Sequence, residues 1–146
     1  MVTLSWIDAA DPRMLQVHTL RHEVLFAPFG LPRDDRWDDE VEGRFHLVAE
    51  ADGVVVGYAQ LLEESDGSGH VRQVSVRADL QGSGVGRTLM AEVAVEAERR
   101  GLAPLWLHAR VTAESFYRRL GYVTTSGVFP SGRTQVPHVR MELSAD

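Results

Sequence analysis

The stretch Val74-Ser75-Val76-Arg77-Ala78-Asp79-Leu80-Gln81-Gly82-Ser83-Gly84-Val85-Gly86-Arg87-Thr88 decides how the chain folds. Val74, Ser75 and Val76 close a strand. From Gly84 to Arg100 the period changes, and Val85, Leu89, Val93 and Ala97 line one side of a helix that Gly101 stops. Between strand and helix, glycines at 82, 84 and 86 let the backbone bend sharply and leave its N–H groups uncovered. Those N–H groups, together with the positive end of the helix, form an anion site suited to phosphate. Arg87 can add a charge-assisted bond. The plain alternative is a turn that needs glycine and binds nothing.

Outward from this segment, Val2 to Ile7 reads as a first strand. Asp11-Pro12 offers a helix cap with proline at the first helical position, and the helix runs to about Phe26 with Met14, Val17, Leu20, Val24 and Leu25 inward. Residues 27–43 hold two prolines and six acidic residues, and read as a loop with one helical turn at most. Phe45 to Ala51 and Val54 to Leu62 flank Asp52-Gly53, a two-residue hairpin signal. His70 to Val76, Pro104 to Ala109, Tyr122 to Ser126 and Val139 to Leu143 read as further strands. Thr112 caps a short helix from Ala113 to Leu120. The fold class is α/β: one domain over 1–146, a mixed and mostly antiparallel central sheet flanked by helices, with a strand-helix-strand unit in the middle.

Composition narrows the chemistry. The 146 residues are 44% hydrophobic and 25% charged, ordinary for a globular domain. There is no cysteine, which excludes disulfides, thiolate metal sites and a cysteine nucleophile; no metal is expected. All 15 basic residues are arginine, so no lysine can act as base or covalent amine. A net charge of -6 argues against nucleic-acid binding and is compatible with a cationic partner. No apolar stretch reaches membrane-span length, and residues 1–13 lack the pattern of a secretory signal; membrane association is not expected, and the default location is cytoplasmic. A homodimer is left open.

Two phosphate-binding patterns fail on single positions. A Walker loop would need glycine at Gln81 and lysine at Arg87; a dinucleotide fingerprint starting at Gly82 would need glycine at Arg87. The pattern Gln/Arg-x-x-Gly-x-Gly/Ala is met by Gln81, Gly84 and Gly86, and on it the chain resembles the GNAT superfamily of acetyltransferases. Leu107-His108-Ala109-Arg110 and the following Ala113-Glu114-Ser115-Phe116-Tyr117 through Gly121-Tyr122 are similar to that family's later strand and helix. Arg72-Gln73, His108-Ala109-Arg110, Pro137-His138 and Met141 resemble one bacterial subgroup. Ala78 replaces a common proline, Arg110 stands where many relatives have asparagine, and residues 27–43 match no family pattern.

The resemblance implies acetyl-CoA as co-substrate and acetyl transfer to a small-molecule amine. The loop from Gln81 to Thr88 (Gln81, Gly82, Ser83, Gly84, Val85, Gly86, Arg87 and Thr88), with Phe116, would hold the coenzyme. Val74, Ser75 and Val76 would face its pantetheine arm and supply an oxyanion-binding N–H, that of Val76 or its neighbour. Tyr117 would protonate the departing thiolate, although an aromatic on a short helix also simply packs. For the base, His108 shares a strand face with Trp106 and Arg110 and titrates near neutrality; His46, His70, His138 or a water chain are alternatives. Without cysteine, direct attack in a ternary complex is expected. Two other functions remain open: a coenzyme A-binding module without turnover, and a nucleotide-binding protein. The acids Asp34, Asp35, Asp38, Asp39, Glu40 and Glu42, beside Trp37, raise the expectation of a cationic acceptor docking between Phe26 and Phe45.

Overall fold

Alternation builds the sheet. The computed structural model describes residues 1–144. Strands β1 (Thr3–Ile7), β2 (Arg44–Ala51), β3 (Val54–Glu63) and β4 (Gly69–Val76) run antiparallel in succession. After helix α2 (Val85–Arg99), β5 (Leu105–Arg110) joins β4 in parallel. Then α3 (Glu114–Arg119), β6 (Val123–Thr124), β7 (Phe129–Ser131) and β8 (Val136–Leu143) follow, giving the order β1-β2-β3-β4-β5-β8-β6 with β7 on β8. This is the expected mixed, mostly antiparallel sheet. The hairpin between β2 and β3 turns at Asp52 and Gly53, both with positive φ (52° and 77°), as a tight primed turn requires.

Each face has its own core. Leu47, Ala59, Leu61, Val71, Leu107 and Met141 pack beneath α2 and α3, where Val85, Leu89, Val93 and Ala97 are all buried as the 3.6-residue period predicts. On the other face Val48, Val55 and Tyr58 pack against α1 (Met14–Arg21) through Met14, Val17 and Leu20. Burial of each such large side chain contributes about 1.5–3 kcal/mol.

Four boundaries depart from expectation. Regular α1 ends at Arg21 and widens into a π-helical turn, His22–Phe26, in which Val24 and Leu25 are only half-buried. Thr112 makes no capping bond; a 3-10 turn, Val111–Ala113, precedes α3 instead. The strand expected over Tyr122 to Ser126 is only Val123–Thr124, and β8 starts at Val136. Within the intervening loop, Phe129–Ser131 pairs with β8.

The deepest polar feature went unread in the sequence. Arg21 occupies an inward position one turn after Val17 and is fully enclosed. Its Nη1 and Nη2 donate to the two carboxylate oxygens of Asp39 at 2.8 and 2.7 Å, and Nη1 also donates to Gln73 Oε1 at 2.7 Å. The guanidinium lies 3.9 Å over the Trp37 ring and 5.0 Å from that of Tyr58. Asp39 turns its main-chain carbonyl to His46 Nε2 at 3.0 Å, while His46 Nδ1 meets the Tyr58 hydroxyl at 2.7 Å. Removing one partner strands a buried charge, so Asp39→Asn should cost about 3–5 kcal/mol in urea unfolding. Burial alone would raise the Asp39 carboxyl, but the hydrogen bonds and charge of Arg21 hold it below its ordinary 3.8. The pair's contribution to stability is therefore complete above that value and lost as pH falls through the lower folded one. The acid limb of the wild-type stability curve should flatten in Asp39→Asn.

Candidate active site

At the middle of β4 the ladder slips. Tyr58 faces Ser75 and Gln60 faces Arg72, so Gln73 and Val74 together oppose Ala59 as a β-bulge. Gln73 takes a left-handed backbone, φ 57°, which costs a non-glycine residue about 1–3 kcal/mol. Two bonds hold it: the one from Arg21 to its side chain, and the Ser75 hydroxyl donating to its carbonyl at 3.0 Å. Beyond the bulge the Arg77 N–H donates to Val56, so by alternation Ser75 and Arg77 face β3 while Val74 and Val76 turn their N–H groups the other way. On that side nothing pairs with them along the sheet, because β4 and β5 pair only at Gly69–Leu105 and His70–Trp106 and then part. Of the three strand residues expected along a pantetheine arm, Val74 and Val76 turn their N–H groups to this gap. Ser75 is buried and instead secures the bulge.

The gap opens at its far end onto the glycine loop. Gly82 and Gly84 have φ of 85° and 98°, and a Cβ on either would point into open space. Gly84 caps α2, accepting both the N–H and hydroxyl of Thr88. The first-turn N–H groups of Val85, Gly86 and Arg87 have no acceptor within the helix. The Ser83 hydroxyl donates to the Leu80 carbonyl, and Gln81 Nε2 donates to that of Val76 at 3.0 Å, tying loop to strand. Gly86 is small for a different reason: a Cβ there would lie 3.2 Å from the Phe116 ring, which packs α3 onto α2. Val85 is buried and can contribute only its N–H; Arg87 is exposed beside the loop.

The parted strands form one wall of a cavity of about 730 Å³ that reaches Tyr117, His108, Gln73, Trp37 and His138. Tyr117 is buried against Phe116 and Tyr122, and burial pushes its phenol up to about 12, partly opposed by the nearby Arg110 charge. It is a protonated donor throughout the neutral range. Arg110 Nη2 donates to the Leu25 carbonyl at 2.8 Å, closing the end of the π-helical turn. His108 lies on the same strand face as Trp106, its ring edge-on to Phe129 at 4.9 Å. Partial burial, then the charges of Arg140, His138 and Arg72, lower its pKa below 6.5, so it is a neutral acceptor at pH 7. His70, stacked on Trp106 at 3.6 Å, is pushed down to about 3 mainly by burial. His46 has both ring nitrogens engaged in the Asp39–Tyr58 network and stands outside this wall.

A bulged strand parting from its parallel neighbour beside a left-handed glycine loop agrees with what the chain matches. Residues 26–145 match the model of the acetyltransferase (GNAT) domain. The chain belongs to the GNAT acetyltransferase family. It is 36% identical over 130 residues to a mycothiol acetyltransferase of Actinosynnema mirum, covering 83% of this chain but 43% of that relative, so it spans less than half of that protein's length. Its fold is similar to an acyl-CoA N-acyltransferase from Pseudomonas aeruginosa, with a TM-score of 0.84 at 26% identity over 99% of this chain and 100% of that one. An aminoglycoside 6'-N-acetyltransferase solved with coenzyme A shares the fold at a TM-score of 0.79 and 17% identity, covering 97% and 96% of the two chains. What the chain shares with these proteins is the acetyltransferase (GNAT) domain and its fold.

In this GNAT domain half of the acidic segment is taken up by ion pairs. Asp39 is consumed by Arg21, Asp34 pairs with Arg36 at 2.8 Å and Asp35 with Arg33 at 3.0 Å. The Trp37 ring already carries the Arg21 guanidinium and stacks on Phe26 at 5.6 Å. Asp38 alone among the acids lines the cavity, against Arg36, Arg44, Arg72, Arg110 and Arg133. Three of the six acids behind the cationic-acceptor expectation are thus held by arginine, while Asp38, Glu40 and Glu42 have no ion pair among the described residues. For the loop, Gly84→Val should force a β-branched residue to φ 98° and cover the amides. Calorimetric titration should show coenzyme A affinity falling by roughly tenfold or more in a protein whose core is unchanged.

Proposed function

We propose that this chain moves the acetyl group of acetyl-CoA onto the amine of a small molecule by direct attack in a ternary complex. The observation that carries this reading is the parted β4–β5 gap, with the Val74 and Val76 N–H groups directed into it and the glycine loop at its end. The residues fit the coenzyme: open space over Gly82 and Gly84 leaves room for a pyrophosphate against bare amides, and the gap suits a pantetheine arm lying as an added strand.

The chain's own groups then have distinct tasks. The acceptor ammonium must lose a proton, and neutral His108 is available to take it. As the amine nitrogen bonds to the thioester carbon, the carbonyl oxygen gains charge, and a preorganised N–H of Val76 or Val74 stabilises it. Collapse breaks the carbon–sulfur bond, and the buried Tyr117 hydroxyl donates a proton to the leaving thiolate. No covalent enzyme intermediate is needed, and no cysteine exists to form one.

Thermal-shift screening followed by an amine panel tests the whole reading. Acetyl-CoA should stabilise the protein without magnesium, and ATP should not. Because the chain lacks cysteine, a thiol reagent reports released coenzyme A alone. Stabilisation by acetyl-CoA without thiol release on any amine would instead indicate a coenzyme-binding module. Tyr117→Phe should lower kcat by roughly 10²-fold or more while acetyl-CoA affinity stays near wild type, because the hydroxyl acts mainly in the transition state. The acid limb of kcat/KM should lie below 6.5, the ordinary histidine value, and vanish in His108→Gln. An unchanged limb in that variant removes His108 as the base.

A further inference from the structure

The arginines of this chain are not used alike. Most sit in carboxylate ion pairs. Arg110 and Arg133 donate to main-chain carbonyls, and Arg87 and Arg119 lie in solvent. Arg44 and Arg72 are different. Both are half-buried, both line the cavity, and among the described residues neither has a hydrogen-bond or ion-pair partner. The Arg44 Nε is wholly enclosed with nothing to donate to.

Their placement brings them together. Arg44 faces Leu62, Leu62 faces His70, and Arg72 stands two residues beyond His70 on the same face. The two side chains therefore share one face of the sheet across β3, on the side that carries Trp106 and His108. Burial, and then the charge of Arg44, work against the charge on Arg72. Asp38 and Glu64 act in its favour but form no ion pair with it: Asp38 is exposed, and Glu64 lies 3.5 Å from His70 Nδ1. Two like charges held half out of water, with an enclosed donor unused, are costly unless a ligand supplies the missing negative charge. A guanidinium presents its donors as a planar fork that matches oxyanions, and two forks can hold one oxyanion between them.

We infer that Arg44 and Arg72 form an oxyanion subsite on the acceptor side of the cleft, so that the acceptor carries a carboxylate or phosphate beside its amine. The inference rests on the acetyl-transfer reading and narrows it. The coenzyme's pyrophosphate does not account for the pair. Across the bulge, Arg72 and Val76 face Gln60 and Gly57, three residues apart on β3, which puts Arg72 about 10 Å along the strand in the direction away from the glycine loop. Phosphate and carboxylate acceptors share the chemistry, and matched substrates separate them.

The test uses the full chain saturated with coenzyme A, which fills the loop. Inorganic phosphate and acetate are titrated at constant ionic strength against chloride, with tryptophan fluorescence as readout, since Trp37 is in the cavity wall. Wild type should bind at least one of them saturably. Arg72→Gln and Arg44→Gln should each weaken that binding by roughly tenfold or more, with Arg72→Lys in between. Equal binding by wild type and both variants, or no saturable binding by wild type, overturns the subsite. Turnover is then compared between an amino acid and its amide, and between an aminoalkyl phosphate and its alcohol. The anionic member of a pair should be preferred by roughly tenfold or more in kcat/KM, and Arg72→Gln should erase the preference through KM alone. Preference for the neutral member also overturns the subsite. If phosphate binds as expected but no amine releases coenzyme A, the subsite stands and the acetyl-transfer reading falls.

Discussion

Arg21 joins three parts of the molecule that are far apart in sequence, and the geometry of the cleft follows from that junction. It leaves α1 at a position that should be apolar, closes on both oxygens of Asp39 in the 27–43 segment, and reaches Gln73 at the bulge of β4. A fully enclosed guanidinium is tolerable only where its charge is matched, and here both Nη groups are bonded while Nε has no partner. The segment carrying Asp39 must therefore fold down over α1, bringing Trp37 onto the guanidinium and the Asp39 carbonyl onto His46. The same guanidinium fixes the side chain of the one strand residue in β4 with a left-handed backbone. Without a partner there, relaxation of Gln73 into the ordinary ladder would rotate Val74 and Val76 out of phase with the gap.

The bulge is what makes the parting of β4 and β5 useful. Two strands that separate after two paired residues would normally leave unsatisfied amides, a liability in any sheet. In the proposed function those amides are the site, and the surroundings keep them aligned. Gln81 anchors the loop to the Val76 carbonyl. Gly86 brings α2 and α3 into contact through Phe116, which sets Tyr117 beside the cleft. Most of the proposed binding surface is thus main chain, and its sequence record is a set of glycine positions and spacings rather than a set of reactive side chains.

That explains how legible the protein is. Val85, Leu89, Val93 and Ala97, Asp52-Gly53, and the Gln81–Gly86 pattern report local backbone demands, and each is read in place. What depends on tertiary pairing is hidden. The bulge at Gln73 has no glycine to announce it, because its left-handed backbone is supported by bonds from Arg21 and Ser75 instead of by an absent Cβ. β7 is legible only through its partner β8. The burial of Arg21 has one faint signal, a charged residue at the spacing that Met14 and Val17 establish for the inner face. A helical period with one arginine in its apolar stripe is a reason to look for a buried acid.

Charge is where a whole-chain number misleads most. A net charge of -6 describes the outside of this protein, while its cavity is lined by five arginines and one carboxylate. The two facts are compatible, because fields act locally and exposed charges are screened within about 8–10 Å. The acidic run from Asp34 to Glu42 shows how the reversal arises. Three of its four aspartates, Asp34, Asp35 and Asp39, pair with Arg36, Arg33 and Arg21, which weakens the field they put into the cleft they border. The arginines on the sheet face have no such recourse: β-strand geometry fixes where Arg44 and Arg72 point, and neither has an ion pair among the described residues. Half of the acidic segment is matched by arginines within reach of it, whereas Arg44 and Arg72, locked into a rigid sheet, keep their charge for a ligand.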